Sequence, residues 1–256
     1  MENILRSLGP ANIVLDLGCG GSSFRYSNYE CRVLAVDVVL NAAQIDRSSP
    51  RFQYVLATSS NLPIAAGSVD AVVCNHTMEH FQDYTLVLAE IGRVLKPHGM
   101  LWVSVPDGHG FDDTLYRFLF NGGGHVNRFT RDVLIREVES LSGLRVIQVI
   151  DLFSGFVYVR RSVIKQAVNV LTRTLDRYTG LRTSRYGWGF VFARGDVELP
   201  ALPPSYFNVC GNCGAGQGAI ELKERGRVKQ SMGIPTYSCL NCGAHSIFFK
   251  PPPGLS

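Results

Sequence analysis

The sequence has no apolar run of the ~18 residues that a membrane span requires, and no charged-then-apolar leader opens it, so export is not expected. It has little net charge: 25 Lys and Arg against 21 Asp and Glu leave +4. So mild a basic balance does not by itself point to nucleic acid. It also lacks the evenly spread cysteines of a disulfide framework. Of seven cysteines, Cys210, Cys213, Cys239 and Cys242 form two C-x-x-C pairs near the C-terminus, while Cys19, Cys31 and Cys74 fall in apparent core or turn positions. That usage fits a reduced, cytoplasmic protein with a metal site. Apolar material is not scarce: 46% of 256 residues allows one large domain and a small one.

The stretch that organises the chain is Ile13 to Gly21, I-V-L-D-L-G-C-G-G. Ile13, Val14, Leu15 and Leu17, interrupted only by Asp16, have the length and apolarity of a buried parallel strand, and a glycine cluster follows. Gly18, Gly20 and Gly21 remove side chains where a ligand must approach the backbone. A second apolar run, Val33 to Val36, stops on Asp37. In a doubly wound sheet, a carboxylate ending the second strand is placed to accept from both hydroxyls of a ribose. A dinucleotide fingerprint would need glycine at the first, third and sixth turn positions, and the sixth here is Ser23.

The form D-L-G-C-G-G instead resembles the first motif of class I S-adenosylmethionine-dependent methyltransferases, of the type 11-like group, with Ser22 where that family usually has a third glycine. Two further stretches are similar to the same family, in the right order. In Thr58 to Asn75, T-S-S-N-L-P-I-A-A-G-S-V-D-A-V-V-C-N, Leu62-Pro63 matches the pattern, and Thr58 holds the acidic position that contacts the adenine amine. The run A-E-I-G-R-V-L-K-P-H-G-M-L-W-V-S-V-P differs from the family's version by His98 for glycine. Together the matches cover roughly residues 13 to 106. The resemblance implies an α/β, doubly wound Rossmann-like sheet of seven strands with the last pair antiparallel. It also implies a cofactor pocket formed by Asp16, Gly18, Gly20, Asp37, Thr58, Ser59 and Asn75. The Asp/Asn-Pro-Pro-aromatic motif of enzymes that methylate exocyclic amines of nucleic-acid bases is missing, since N-H-T-M stands there.

Taken in order, the pattern predicts a strand at Ile13–Leu17, then a brief helix within Ser22 to Glu30. A second strand ends on Asp37, and another short helix spans Asn41 to Arg47. Strands follow at Phe52 to Ala57, Val69 to Asn75 and Met100 to Val105. A helix over Thr85 to Lys96 precedes the last of these and ends near His98. Asp107 to Asn127 reads as a loop-rich stretch. Thr130 caps a helix to Leu141, and the last strands lie at Leu144 to Leu152 and Trp188 to Ala193. Where the acceptor must lose a proton, His80, His109 and Asp107 are the candidate bases, all argued to the carboxyl edge of the sheet; the alternative for each is a hydrogen-bonded loop or helix-start residue.

Between the last two strands, Arg160 to Arg185 is basic and apolar at helical spacing. It is either a lid over the substrate site, favouring an anionic acceptor or peripheral contact with an anionic membrane, or a helix with a solvated basic face. A proline-rich linker at 197–207 separates a methyltransferase domain at 1–196 from a tail at 208–256. In the tail the two C-x-x-C pairs, each followed by glycine, match a zinc ribbon in which Cys210, Cys213, Cys239 and Cys242 close a structural tetrahedral site. The expected cofactors are S-adenosylmethionine and zinc. The expected function is O- or N-methylation of a small-molecule or glycan-type acceptor. Two alternatives stay open: an RNA or protein methyltransferase whose ribbon presents the macromolecule, and a non-catalytic interaction protein on the same fold.

Overall fold

A computed structural model describes the chain apart from residues 42, 44, 123, 154–166, 169–170, 173–174, 177, 180–184, 200–207, 211–214, 232–233, 242 and 249–256. By contact the chain divides into two compact units. One holds residues 1–105, 124–150 and 188–200; the other holds 106–123, 151–187 and 201–256. Of the basic segment, Arg160, Arg161, Lys165, Arg173, Arg177 and Arg182 lie outside the described residues. The described residues among 167–179 are helical, with Thr172 and Thr179 hydroxyls bonding back to the carbonyls of Val168 and Leu175 at 2.9 and 2.7 Å.

The first unit is built on a seven-stranded sheet. Its strands are β1 (Ile13–Leu17), β2 (Arg32–Asp37), β3 (Phe52–Leu56), β4 (Val69–Asn75), β5 (Leu95–Pro106), β6 (Arg145–Phe153) and β7 (Arg185–Ala193). Their order is β3-β2-β1-β4-β5-β7-β6. β1 pairs parallel with β2 and β4, β2 with β3, and β4 with β5. β7 runs against β5: Arg194 N–H donates to Gly99 O while Asp107 N–H donates to Tyr186 O, so one strand ascends as the other descends. The last pair is antiparallel, as the resemblance implied.

Alternate residues of each strand feed two cores, as a period of two requires. Leu15, Leu17, Val72, Leu101, Val103, Trp188 and Phe190 join the helices α2 (Tyr84–Val94) and α4 (Arg131–Ser142) on one face. Val14, Val33, Ala35, Val73 and Trp102 meet α1 (Glu2–Arg6) and the aromatic cluster of Phe24, Tyr26 and Tyr29 on the other. The helix α2 starts where Asp83 accepts from the N–H groups of Thr85 and Leu86. It stops earlier than its periodicity predicted, because Pro97 disfavours a helical Lys96. Leu95, Lys96 and His98 therefore belong to β5, not to a helix end. There Lys96 Nζ sits 2.8 Å from both oxygens of Asp70.

Of the two short helices expected, one is a single turn and the other does not appear among the described residues. Between Ser22 and Glu30 only the 3-10 turn Tyr26–Asn28 appears. The described residues of 41–47 are non-helical: Asn41 Oδ1 accepts from Ala43 N–H and Asp46 Oδ1 from Ser48 N–H. Such side-chain bonds two residues ahead make turns that compete with a helix. Conversely, the loop-rich stretch Asp107 to Asn127 contains a helix that the sequence reading did not place, α3 (Phe111–Leu119). Among the described residues no helix is long and apolar enough to cross a membrane.

In the second unit, the tail has a hairpin of β8 (Asn208–Val209) and β9 (Gly216–Gln217), then α5 (Ala219–Glu224). A three-stranded sheet of β10 (Val228–Ser231), β11 (Ile234–Ser238) and β12 (His245–Ile247) follows. Its core is small: Cys210, Ala215, Ala219, Leu222, Tyr237, Cys239 and Phe248.

Helices α2 and α4 cross at backbone contact. A Cβ on Gly92 would stand 2.6 Å from the carbonyl oxygen and 2.9 Å from the Cα of Ser142. Neither atom is the end of a flexible chain, so the helices would have to separate. Gly92→Ala is expected to destabilise the protein by about 2 kcal/mol, within the usual range for overpacking. A denaturant midpoint equal to the parent's would show that the helices are not so tightly apposed.

Candidate active site

The sheet reverses direction of growth at β1: the chain moves outward to β2 and β3, then returns to β4 on the other side. Ligands of open α/β sheets bind in the crevice outside the carboxyl ends of the strands at that point. The loops that leave β1 and β4 meet there. Gly18 has φ +69°, and a Cβ on it would fall 2.0 Å from Thr77 Cγ2. Thr77 in turn donates to Asn75 O at 3.1 Å. Sequence reasoning singled out Gly18 but not Thr77, whose role shows only once the two loops are side by side.

On the β1–β3 side the groups expected at a cofactor pocket are assembled. Asp37 ends β2, and its carboxylate accepts from Gly20 N–H at 2.8 Å and from Val39 N–H at 3.1 Å. A Cβ on Gly20 would meet nothing within 4 Å, so the space above the turn is open. In the parallel register Asp37 sits opposite Leu56 of β3, which places both side chains on one face. Val38, Val39 and Leu56 are 62, 71 and 67% exposed, an apolar surface beside a carboxylate that the sequence reading did not identify. Thr58 is exposed, with its hydroxyl 3.0 Å from that of Ser60, and Ser59 is buried. Ser22 adopts φ +135°, a region suited to glycine, the residue the family usually has there.

Asp16 lies beneath the turn rather than in the open space. It is fully buried, and one oxygen, Oδ2, accepts from Ser23 N–H at 2.9 Å and from Tyr26 Oη–H at 2.6 Å. Its other oxygen, Oδ1, is buried with no partner among the described residues. Burial pushes its carboxyl above the usual range, and the bonds from Ser23 and Tyr26 only partly offset this. Asn75 is likewise drawn into the packing: its side-chain oxygen accepts from Trp102 Nε1 at 3.2 Å and Ser104 Oγ at 2.7 Å.

On the β4 side, a 3-10 turn at Met78–His80 presents Glu79 and His80. His80 Nδ1 lies 2.9 Å from Gly124 O. A carbonyl can only accept, so Nδ1 carries the proton and Nε2 the lone pair. Glu79 is buried, with His76 Nδ1 4.0 Å from its carboxylate. His125 reaches the same place, its ring edge-on to His80 at 4.8 Å between centroids. Of the other two candidate bases, both in the second unit, Asp107 is committed to structure. Arg185 Nη2 donates to its Oδ2 at 2.8 Å and His109 N–H to its Oδ1 at 3.2 Å. Cysteine does not supply a nucleophile at the turn: burial and nearby carboxylates push the Cys19 thiol up to about 12.

In the tail, Cys210 and Cys239 are buried, and Cys213 and Cys242 lie outside the described residues. Cys239 Sγ accepts from Gln217 Nε2 at 2.9 Å and from Asn241 N–H at 3.3 Å.

Residues 15–103 match the family described as methyltransferase domain. Over 99 residues the chain is 33% identical to a ubiquinone biosynthesis O-methyltransferase of Xanthomonas oryzae pv. oryzae, covering 36% of this chain and 41% of that protein. Over 155 residues it is 32% identical to a Mycobacterium tuberculosis protein described as a probable S-adenosylmethionine-dependent methyltransferase, covering 57% of this chain and 53% of that one. The chain thus spans about half, or less, of the length of these curated relatives. The geranyl diphosphate C-methyltransferase of Streptomyces coelicolor A3(2) superposes with a TM-score of 0.54 at 17% identity, over 75% of this chain and 77% of that one. That likeness shows the fold. Residues 15–103 are thus similar to a methyltransferase domain, and the first unit has the Rossmann-like α/β fold.

The buried Asp16 makes stability depend on pH in a defined sense. Its folded pKa lies above the unfolded value, so its contribution is fully present below the unfolded pKa and is lost as pH rises through the folded one. Asp16→Asn keeps an acceptor for Tyr26 and cannot ionise. Its stability relative to the parent is therefore expected to improve as pH rises out of the ordinary carboxylate range. Melting both proteins across pH 4 to 8, in steps of about one unit, tests this; a constant difference would refute it.

Proposed function

We propose that the protein is an S-adenosylmethionine-dependent methyltransferase acting on a small-molecule or glycan-type acceptor, at oxygen or nitrogen. The observation that carries this reading is the set of groups at the ends of β1, β2 and β3: the open turn at Gly20, the Asp37 carboxylate and the apolar surface of Val38, Val39 and Leu56. A ribose with an attached flat, apolar base fits such a set, since the carboxylate accepts from hydroxyls and the apolar side chains cover a ring. The turn offers backbone N–H groups but lacks the full glycine pattern of a pyrophosphate site.

Asp37, Thr58 and Ser59 would hold the nucleoside part, and Gly18 and Gly20 would pass beside the amino-acid part. When bound, the cofactor supplies an electrophilic methyl group on sulfur. The chain's own work is to hold the acceptor in line and exclude water. Asp16 and Asn75 act one layer down, Asp16 by tying the turn to Tyr26 and Asn75 by fixing the end of β4 against Trp102. His80 is the acceptor-side group of this reading, because its tautomer keeps a lone pair on Nε2. A basic 160–185 segment would favour an anionic acceptor or contact with an anionic membrane surface. Nucleic acid is not favoured, given N-H-T-M at the end of β4.

The tail is read as a zinc ribbon on Cys210, Cys213, Cys239 and Cys242. What supports this is the pair of N–H donors on Cys239 Sγ, which suit a thiolate ligand, and a core too small to hold the tail unaided.

Calorimetric titration with S-adenosylhomocysteine tests the cofactor reading. The parent should bind, and Asp37→Ala should lose about 2 kcal/mol, roughly thirtyfold, for charge-assisted bonds to two hydroxyls. Equal affinity in the two proteins would remove Asp37 from the pocket. Metal analysis after dialysis should give about one tightly held zinc per chain, absent from Cys239→Ser; a zinc-free parent with a cooperatively folded tail would dismiss the ribbon.

A further inference from the structure

We propose that Glu79, His80 and His125 form a binding site for a divalent transition-metal ion on the acceptor side of the sheet, distinct from the cysteine site of the tail. One donor atom from each of the three residues lies within 4.8 Å of the others. A tetrahedral ion with bonds of ~2.1 Å holds its ligands about 3.4 Å apart. Small rotations of two imidazoles, one exposed and one half-buried, close that gap.

The arrangement is built rather than accidental. Glu79 and His80 are adjacent on a single turn, whereas His125 arrives from a distant part of the chain and is pinned there. Val126 and Asn127 donate their N–H groups to Glu79 O at 2.9 and 3.0 Å. Asn127 Nδ2 donates to Met78 O and Phe81 O at 3.3 and 2.6 Å. The strap is thus fastened to the same turn that carries the other two ligands. His80 has the outer bond that metal-binding histidines have: Nδ1–H donates to Gly124 O, which sets the ring's orientation and puts the lone pair on Nε2. Glu79 is 2% exposed, and a buried carboxylate is stabilised by a nearby cation.

Two imidazoles and one carboxylate select for first-row ions such as zinc, cobalt, iron or manganese over magnesium and calcium, which prefer oxygen. Three protein ligands leave coordination positions open, the pattern of a site that takes a further ligand. Under the methyltransferase reading, that ligand is an oxygen of an anionic or hydroxyl-bearing acceptor, and His80 acts through the ion rather than as a free base. Metal binding itself does not depend on that reading.

The probe is Co2+ added to the full-length, zinc-loaded protein and followed by visible absorption. One equivalent is expected, with weak ligand-field bands and no sulfur-to-metal charge-transfer band. His125→Ala and Glu79→Gln should each weaken this binding at least tenfold, while Cys239→Ser leaves the nitrogen-and-oxygen spectrum unchanged. Should Glu79→Gln fail to fold, His125→Ala, at a half-buried position, carries the test, with its melting curve as control. Co2+ affinity unaltered in His125→Ala, or a spectrum wholly of sulfur ligation, would overturn the proposal. S-adenosylhomocysteine titrations of the same samples separate the two readings, because a parent that binds Co2+ but no cofactor analogue refutes the methyltransferase reading alone.

Discussion

The close passage of the β1 loop over the β4 loop is the constraint on which the first unit turns. At Gly18 the backbone runs so near Thr77 that a single methyl group has no room. The positive φ there turns the chain sharply out of β1, so that Gly20 comes within 2.8 Å of the carboxylate ending β2. Thr77 in turn caps β4 through Asn75 O and begins the turn that presents Glu79 and His80. One steric contact therefore sets the spacing between the two halves of the candidate site. Asp16 secures the same turn from beneath. Burying a carboxylate is unfavourable by itself. The bond from Tyr26 offsets part of that cost and anchors an aromatic cluster that contributes to the core on this face.

Much of this was legible in the sequence because the first unit's sheet is covered on both faces. Strands buried on both sides read as apolar runs, and those at Ile13–Leu17 and Val69–Asn75 lie where the pattern put them. The helix α2 was legible from its periodicity, and its true end follows from the rule for residues before proline. The helix α3 was not legible. Its flanks are rich in glycine and asparagine, and Phe111, Phe118 and Leu119 remain exposed, so no buried stripe marks it. The short helix expected after β2 fails for a different reason: the Asn41 and Asp46 side chains bond to backbone N–H groups two residues ahead, making turns where a helix would begin.

The candidate site was legible to the degree that it consists of backbone. A glycine turn and a strand-ending carboxylate leave their signature in a few adjacent letters. Side chains whose roles depend on long-range contacts leave none. Asn75, expected at the pocket, spends its side-chain oxygen on Trp102 and Ser104. Asp107, a candidate base, is held by Arg185 from β7. Leu56 read as an ordinary strand residue and Val38 and Val39 drew no notice, and it is the register of β2 and β3, which sets Leu56 opposite Asp37, that shows an exposed apolar surface there.

The two sides of the first unit's crevice also differ in how they can change. On the β1–β3 side the contacts come from peptide N–H groups, one carboxylate and a non-directional apolar surface, which substitution alters little as long as the glycines and Asp37 remain. On the β4 side the groups presented are the side chains of Glu79, His80 and His125, and among the described residues the strap is held by bonds from Val126 N–H, Asn127 N–H and Asn127 Nδ2 to backbone carbonyls. Of the strap's side chains only Asn127 is needed for those bonds. The side chain at 125 takes no part in those bonds, so on the proposed reading the group presented there can be exchanged with these backbone anchors kept. Under the methyltransferase reading, a site divided in this way fixes one substrate by backbone geometry and leaves the other to the side chains on one turn and one strap.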